Sequence, residues 1–420
     1  MQRLLNKINI EKVDDINIIL TGVIQANLLE NKTSELKSKA PKDNTQDDTF
    51  FQREAEAQVL QAFIKIGMKK ADIQQDDILG QPHFKKYEKE GKDLHLEILL
   101  ATKPVIDTNV NYMDVAPSFQ MPKANPKTVE SKLSLLAKQQ APYTPIEKPR
   151  AAQNGDFIDI DFDGHLNGRA LASASEEHYK LRVGSKSFLP GFEEQMIGMH
   201  VNERKVINIT FPQDYKAKEL AGKKTTFNVL LHEIREQIPL NVNDDLAQKV
   251  LKEGKATLAT LKEKMAEQIV AQAFSNTYAT TLKPKIIKGL LSKFDFTLPN
   301  NVVEEEIDAK VNEKAQAMSK EEQLAYKKDD TKFTALRDSL REEAKDSIKA
   351  ALIVDALGKK ENITVSEEEI ISTLKYQALK QGQNADDFVE YYQENNLMTS
   401  VRVGLIEDKL FSKILGLDSK

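Results

Sequence analysis

The sequence of 420 residues contains no cysteine and no tryptophan. Without cysteine the chain can form no disulfide and offers no thiolate to a metal or a reaction, which excludes cysteine-based redox and nucleophilic functions. No stretch approaches the roughly 18 consecutive apolar residues that a membrane-spanning helix needs. The first 20 residues have charges between short apolar runs and no small-residue cleavage site. The sequence therefore predicts a soluble, cytoplasmic protein.

The chain also lacks an excess of charge of either sign. Charged residues make up 30% of the sequence, the formal net charge is -5, and basic and acidic residues alternate along most of the chain. A dedicated nucleic-acid-binding protein normally has a strongly basic surface, so this function class is disfavoured. The length and the apolar content are typical of a globular protein with about three domains.

The distribution of apolar residues predicts a multidomain α+β protein. Residues 1–112 form an α+β module, with strands at 16–25 and 94–106 and a helix at 52–67 that ends at Gly67. Residues 113–150 form a linker helix between proline clusters. Short alternating strands predict a mainly antiparallel β domain at 151–238, and residues 239–420 are helical. Two capping boxes, Ser319 with Glu322 and Ser366 with Glu369, mark helix starts in this last region.

Aromatic residues are scarce, at 6% of the sequence, but they are concentrated in the β domain. Eight of the 17 phenylalanines and ten tyrosines lie between Phe157 and Phe227. One interpretation is that a small domain builds its core from its few large side chains. The other is a concave apolar pocket that binds a ligand. Composition alone leaves both open.

The order of the motifs in this domain resembles FKBP-type peptidyl-prolyl isomerases. The stretches are GDFIDIDFDGHLNG from Gly155, HYKLRVGSKSFLPGFEEQMIGM from His178, and KVINITFPQDYKAKELAGKKTTFNVLLHEI from Lys205. The resemblance implies an antiparallel sheet around one central helix. It also implies that seven large side chains line a prolyl-peptide pocket, namely Phe162, Tyr179, Phe188, Leu189, Phe192, Tyr215 and Phe227.

Isomerisation of an X-Pro bond must overcome a barrier of about 18–20 kcal/mol that arises from amide resonance. A dry apolar pocket can lower this barrier because the planar amide is more polar than the twisted transition state. The sequence departs from the family where a phenylalanine and an acidic residue usually face the pocket, since Leu171 and Ala172 stand there. We therefore expect isomerase activity to be weak or absent and prolyl-peptide binding to persist.

The whole chain resembles the trigger factor family of bacterial ribosome-associated chaperones. In that family an FKBP-type domain lies between an N-terminal α+β module and a long helical C-terminal domain with arms. Supporting stretches are NVNDDLAQKV from Asn241 and QGQNADDFVEYYQENNLMTSVRVGLIEDKLFSKIL from Gln381. The resemblance implies an ATP-independent chaperone that binds apolar segments of nascent or unfolded proteins. The alternative is a non-ribosomal paralogue that acts as a dedicated binding or scaffold protein without isomerase activity.

The family docks on the ribosome through a basic loop tip with a Gly-Phe-Arg sequence, and this motif is absent here. The corresponding loop, near Pro41 to Asp48, carries Asp43, Asn44, Asp47 and Asp48. Acidic side chains are repelled by rRNA phosphate. The ribosome is therefore a possible partner without its usual docking motif, and the loop is either a solvated turn or an altered docking element for another surface.

In the helical region the resemblance implies scattered apolar side chains that hold the client. Methionine and aromatic residues suit irregular partners, and the candidates are Met265, Phe274, Tyr278, Met318, Tyr326, Met398 and Phe411. Packing between helices is the alternative role for each of them. The six histidines are dispersed along the sequence, with no two at metal-ligand spacing, and there is no Gly-rich phosphate loop. The sequence therefore predicts no metal and no cofactor.

Overall fold

A computed structural model of the chain describes residues 8–40, 47–215, 217–218 and 220–417, and it describes the backbone alone at positions 172, 173, 327 and 328. The chain divides into two compact units, one formed by Met1–Phe119 with Tyr278–Lys420 and the other by Gln120–Thr277. Among the helices in these described ranges, none is both long and apolar enough to cross a membrane.

The N-terminal module is a four-stranded antiparallel sheet with two helices inserted between its second and third strands. The elements are β1 (Ile8–Lys12), β2 (Asn17–Ile24), α1 (Ala26–Lys39), α2 (Asp48–Lys70), β3 (His83–Glu90) and β4 (Asp93–Ala101). The strand order is β1-β2-β4-β3. Apolar residues at alternate positions of β2 and β4 pack against Val59 and Phe63 of α2. Both predicted strands are present: β2 is one residue shorter at each end than predicted, and β4 ends at Ala101 where the prediction ran to residue 106.

The predicted end of α2 at Gly67 was wrong, because the helix continues to Lys70. Gly67 is buried in the helix interior, and a Cβ atom at this position would lie 2.5 Å from Cδ1 of Leu20 on β2. The glycine therefore allows the helix to approach the sheet closely. A glycine that ends a helix and one that permits close packing look alike in a single sequence.

The second unit contains the antiparallel β domain between helices. Its elements are α3 (Pro126–Gln139), β5 (Tyr143–Pro145), β6 (Phe157–Leu166), β7 (Arg169–Arg182), α4 (Phe192–Met196), β8 (Arg204–Thr210), β9 (Lys224–Gln237), α5 (Asp244–Leu251) and α6 (Leu258–Thr277). The sheet order is β5-β9-β6-β7. Strand β8 pairs with residues 224–230 of β9, whereas β5 pairs with residues 235–237. Strand β5 lies in the segment predicted as a linker, but it pairs with β9. The linker helix α3 packs against α5 and α6 through Val129, Leu133 and Ala137.

The remaining residues are helical, as predicted. After a π-helical turn at Tyr278–Leu282 come α7 (Lys283–Lys293), α8 (Asn300–Ala317), α9 (Lys320–Lys328), α10 (Asp330–Lys360), α11 (Glu367–Gln381), α12 (Ala385–Glu394) and α13 (Met398–Ile414). Both predicted capping boxes are formed, with Ser319 and Glu322 at the start of α9 and Ser366 and Glu369 at the start of α11. Each places a hydroxyl and a carboxylate on amide groups that lack a partner within the helix.

The N-terminal module and the C-terminal helices belong to one unit, although they are distant in sequence. The Asn301 side-chain amide on α8 donates hydrogen bonds to the carbonyl oxygens of Leu79 and Gln81, at 2.8 and 2.9 Å. The Asn17 amide on β2 donates to the Leu298 carbonyl at 2.8 Å. Both asparagines are buried. Because buried amides are costly to leave without partners, these bonds fix how the two segments meet.

Candidate functional site

The candidate pocket is built on the inner face of β6. Ile158, Ile160 and Phe162 alternate along this strand and are buried, whereas the acidic residues between them face outward. Gly164 continues the inner face, and a Cβ atom there would lie 2.9 Å from Cε1 of Phe227 on β9. The glycine therefore leaves room for the Phe227 ring against the strand.

The sequence Phe188-Leu-Pro-Gly-Phe192 forms the turn that leads into the short helix α4. Gly191 has φ of 85°, in the left-handed region that favours glycine. The Phe192 amide donates a hydrogen bond to the Leu189 carbonyl at 3.0 Å. The helix begins at Phe192 and turns Phe192 and Met196 into the domain core, where both are fully buried.

The rings of the domain form one cluster around Phe162. Its ring centroid lies 5.5 Å from Tyr179, 5.3 Å from Phe188, 5.9 Å from Phe192 and 6.2 Å from Phe227. Most of these pairs meet edge to face, an arrangement that aromatic rings favour. The exception is Phe227, whose ring is tilted by 59° to that of Phe162. Within the same cluster Phe188 lies over Phe192, with a centroid distance of 4.0 Å and an interplanar angle of 37°.

The structure brings six of the seven predicted pocket residues into this cluster, and burial separates their positions. Phe192 and Phe227 are 0% and 1% exposed, so they lie beneath the accessible side chains of the cluster and offer no surface to a ligand. Tyr179, Phe188 and Leu189 are half-buried and form the accessible layer above them. Tyr215 lies apart from this cluster, with its ring 4.8 Å from Phe211.

Glu193 is a residue of the site that the sequence analysis missed. Its carboxylate is buried and accepts hydrogen bonds from the Lys186 amide at 2.9 Å, the Phe188 amide at 3.1 Å and the Ser185 hydroxyl at 3.1 Å. Burial raises the pKa of Glu193, but the hydrogen bonds from these donors outweigh it, so that the pKa lies below its ordinary value. Glu193 therefore holds the loop that places Phe188 over the cluster. An acidic residue directly after the aromatic residue of the turn was the available signal.

Leu171 occupies the position where the resembled family usually has a pocket phenylalanine. It is half-buried and packs against the core of the domain. The side chain of Ala172 lies outside the described part of the structure. Leu171 thus fills apolar space at the edge of the domain without adding a ring to the cluster.

The predicted client-binding residues differ in burial. Phe411 is 0% exposed in the core of α7, α10 and α13, so it presents no surface to a client and the prediction for it is corrected. Tyr278 packs against the same core, and its hydroxyl donates to Oδ1 of Asp408 at 2.9 Å. Burial, together with Asp408, raises the pKa of Tyr278. The other five candidates are half-buried: Met265, Phe274, Met318, Tyr326 and Met398.

Other apolar side chains of the helical region are more exposed than these candidates. Each is at least 40% exposed, and they are Leu324, Phe333, Tyr376, Leu379 and Tyr391. The sequence analysis selected none of them, although three are aromatic and so of the type that it favoured. For Tyr376 and Leu379, the position opposite the apolar stripe of Ile370, Leu374 and Ala378 was a signal that the sequence did contain.

Comparisons with known proteins match two regions of the chain to described families. Residues 148–235 match the family of FKBP-type peptidyl-prolyl cis-trans isomerases. Residues 257–416 match the family described as the bacterial trigger factor protein C-terminus. A trigger factor of Sulfurovum sp. (strain NBC37-1) is 44% identical to this chain, and the alignment covers 98% of this chain and 100% of the relative. The chain belongs to the trigger factor family.

Further relatives support this membership over nearly the full length. The trigger factors of Aliarcobacter butzleri and Campylobacter jejuni are 35% and 30% identical, with 97% of this chain covered in each case and 98% and 96% of the relative. A solved structure of a trigger factor chaperone, studied for promiscuous substrate recognition in folding and assembly, matches with a TM-score of 0.52 at 16% identity. That match covers 97% of this chain and 99% of the other. It shows that this trigger factor shares the fold.

The family resemblance of the sequence is thereby confirmed, and with it the FKBP-type domain and the long helical C-terminal region of this trigger factor. In the loop that corresponds to the family's docking loop, residues 41–46, which include Asp43 and Asn44, lie outside the described residues. Asp47 accepts a hydrogen bond from the Phe50 amide at 2.9 Å at the start of α2. Asp48 forms an ion pair with Lys37 of α1 at 2.7 Å.

Proposed function

We propose that this trigger factor is an ATP-independent chaperone that holds apolar segments of unfolded polypeptides on the outer faces of α11 and α12. The observation that carries the proposal is the exposure of large apolar side chains on helices that already have a complete buried face. Exposed apolar surface rimmed by polar residues marks interaction sites when neighbouring side chains contribute to it together. The FKBP-type domain adds a second apolar surface, which suits a prolyl segment.

Helix α11 shows the arrangement clearly. Ile370, Leu374 and Ala378 form its inner face and are buried. Tyr376 and Leu379 lie on the opposite face and are 59% and 70% exposed. The Lys380 ammonium lies 4.6 Å from the Tyr376 ring centroid, which places a positive charge beside the exposed ring.

Helix α12 presents a tyrosine in the same way. Tyr391 is 57% exposed, whereas Val389 on the same helix is buried. The Tyr391 ring meets the edge of Tyr392, with centroids 6.0 Å apart, and Tyr392 packs on Phe388 at 5.1 Å. Tyr391 is therefore the exposed end of a short aromatic row whose inner members pack against the helical core.

Small, separated apolar contacts fit a chaperone that works without nucleotide hydrolysis. Each partly covered side chain contributes about 0.5–1 kcal/mol of binding free energy, so that several together hold a client and none holds it irreversibly. Release then needs only that the client bury its own apolar residues during folding. An unfolded chain held in this way is also withheld from aggregation.

Replacing Tyr376, Leu379 and Tyr391 together by serine is expected to weaken the holding activity. We expect the triple variant to need about tenfold more protein for the same suppression of aggregation, because three contacts of roughly 0.5 kcal/mol each are lost. Light scattering of a chemically denatured model protein, diluted into buffer with increasing chaperone, measures the effect. The matched control replaces Val13, Phe84 and Val105, which are exposed in the same unit but outside these helices. Equal loss in the control would contradict the assignment.

For the FKBP-type domain we propose binding of prolyl peptides on the layer formed by Tyr179, Phe188 and Leu189. These side chains are half-buried and rest on the buried rings of Phe162 and Phe192. A rigid apolar floor with an accessible aromatic layer suits a proline ring, which has no amide donor to satisfy. Isomerase activity is proposed to be weak, because Leu171 adds no ring and no carboxylate.

Tyr179→Ala is expected to lower prolyl-peptide affinity by about tenfold, since an aromatic contact contributes roughly 1–2 kcal/mol. The measurement is a titration with a proline-containing peptide, followed by an isomerisation assay on the same samples. Phe157→Ala is the matched control, because Phe157 lies on the outer face of the same sheet, where it contacts Tyr143 at 5.1 Å. If both variants lose affinity equally, the effect is one of domain stability and the proposed pocket is wrong.

Ribosome docking is proposed to be weak, because the segment that joins α1 and α2 contains acidic residues where the resembled family has a basic tip. Co-sedimentation of the full chain with ribosomes is the direct measurement. We expect little protein in the ribosome pellet at physiological salt, and further loss as salt is raised. Stoichiometric pelleting would overturn this proposal and leave the chaperone proposal in place.

A further inference from the structure

Two β-bulges on the outer face of the FKBP-type sheet lie on either side of Asp161. Strand β6 runs between β7 and β9 in the sheet. Its pairing with β7 shifts register between Ile160 and Phe162, and its pairing with β9 shifts between Asp159 and Ile160. These shifts leave His178 of β7 and His232 of β9 out of regular pairing. Bulges redirect side chains, and they are frequent next to functional sites.

The bulge on β7 holds His178 in a backbone conformation that histidine seldom adopts. Its φ is 53°, in the left-handed region. The strain is supported by a hydrogen bond from the His178 amide to Oδ1 of Asp161 at 2.9 Å. As a result the His178 ring lies beside the His232 ring, with centroids 4.8 Å apart and planes inclined by 30°. Backbone strain that positions a side chain in this way is often connected with function.

We propose that Asp161, His178 and His232 form a binding site for a transition-metal ion of the zinc class. One ring nitrogen of each histidine and one carboxylate oxygen of Asp161 lie within 4.8 Å of one another. Two imidazoles and a carboxylate are a ligand set that Zn²⁺ accepts, with bonds of about 2.0–2.2 Å and a water molecule in the fourth position. The His178 side chain is 69% exposed, so it can rotate to close the distance.

The His232 side chain already faces the Asp161 carboxylate across the strand pair. Nε2 of His232 is buried and lies 2.6 Å from Oδ2 of Asp161. A histidine nitrogen and a carboxylate oxygen held this close can share one metal ion, which would take the place of their direct contact.

Asp159 completes the arrangement from the next outward position of β6. Its Oδ1 atom lies 3.2 Å from Nδ1 of His178. When Nδ1 carries the proton, it donates to Asp159 and leaves Nε2 as the free ligand atom. A carboxylate that orients a metal-binding histidine is a frequent feature of such sites. Asp159 is thus assigned a positioning role.

The sequence analysis predicted no metal, because the histidines are not spaced as ligands along the chain. His178 and His232 are far apart in sequence and come together only when β7 and β9 pair with opposite edges of β6. A bound ion would tie these three strands together on the outer face. It would thereby hold the bulge next to Tyr179, which points to the inner face.

The test is calorimetric titration of Zn²⁺ into the full chain, prepared without a polyhistidine tag and freed of metal by chelation. One equivalent of Zn²⁺ is expected to bind. His178→Asn and His232→Gln are each expected to weaken Zn²⁺ binding at least tenfold. Loss of a residue that only hydrogen-bonds to a metal ligand already lowers metal affinity by about 10–100-fold, and loss of the ligand itself should cost no less. Asparagine is chosen at 178 because it tolerates positive φ. His165→Ala is the matched control, since His165 lies beside a carboxylate, Asp163, on the same strand without a second histidine ligand.

A second measurement needs no substitution and so does not depend on the folding of a variant. Histidine modification by diethylpyrocarbonate, read residue by residue by mass spectrometry, is expected to slow at least fivefold at His178 when Zn²⁺ is added, with His165 and His200 unchanged. Absence of saturable binding, unchanged affinity in the His178→Asn, His232→Gln double variant, or equal protection of all histidines would each overturn the proposal.

Discussion

Phe192→Ala is expected to destabilise the FKBP-type domain by about 3–5 kcal/mol, the usual effect of deleting a fully buried phenylalanine ring. The Phe192 ring is 0% exposed, and it contacts Phe162, Phe188 and Phe227. Its removal leaves a cavity at the centre of the cluster, which the rigid turn at Gly191 cannot fill by moving inward. Because small domains are stable by only about 5–15 kcal/mol, much of that stability is lost.

Hydrogen exchange read by mass spectrometry is the suitable measurement, since the chain has several domains and a single unfolding curve would mix their transitions. The exchange protection of residues 151–238 should fall strongly in Phe192→Ala, while that of α7 and α10 stays unchanged. Phe192→Leu is the matched control, because it keeps most of the volume and should cost less than about 1.5 kcal/mol. Equal protection in wild type and Phe192→Ala would show that the ring cluster does not support this domain.

Because Phe192 is buried, its substitution tests the folding of the domain and not peptide binding. A loss of isomerase activity in Phe192→Ala would report an unfolded domain and would carry no information about catalysis. Substitutions in the accessible layer, such as Tyr179→Ala, separate peptide binding from folding. The distinction follows from burial, which the sequence does not contain.

Glu193→Gln is expected to destabilise the loop at residues 185–188 and to remove a pH dependence of its stability. The folded pKa of Glu193 lies below its ordinary value of 4.5, because hydrogen bonds from the Lys186 and Phe188 amides outweigh the effect of burial. A lowered folded pKa means that the unfolded state binds protons more readily. The stabilisation is therefore fully present above about pH 4.5 and is lost as the pH falls through the folded pKa.

The expected loss of stability follows from the hydrogen-bond donors that lose a charged acceptor in Glu193→Gln. Hydrogen bonds to a charged group contribute about 1.5–3 kcal/mol each, so the substitution should cost about 2–3 kcal/mol at pH 7. Exchange protection of residues 183–199, compared at pH 7 and at pH 4, measures both effects. Glu194→Gln is the matched control, because Glu194 is the adjacent acidic residue and is exposed. A wild-type loop whose protection does not change between these pH values would contradict the role given to Glu193.

Some parts of the fold were predictable because they depend on local patterns. The strands β2 and β4 alternate apolar and polar residues, and the helix starts at Ser319 and Ser366 carry complete capping boxes. The motifs of the FKBP-type domain named seven residues, of which six pack together in the core of that domain. In each case the relevant interaction joins residues close in sequence, or residues whose order is shared with a known family.

Other parts depended on contacts that no local pattern encodes. The two reasons for a glycine, helix termination and close packing, could not be told apart at Gly67. Phe411 and Phe192 are both 0% exposed, so neither can contact a client or a peptide directly, contrary to the expectation from the sequence. The hydrogen bonds of Asn301 to Leu79 and Gln81 span 222 and 220 positions of the sequence, and the bond from Asn17 to Leu298 spans 281.

By itself the amino-acid sequence determined the absence of thiol chemistry, the alternation of α and β segments, and membership in the trigger factor family. Only the tertiary structure decided which apolar side chains remain exposed, how Glu193 supports the ring cluster, and that two distant histidines meet beside Asp161. The physical reason is that composition and periodicity act over a few residues. Exposure and strand pairing arise from contacts between segments that are brought together only when the chain folds.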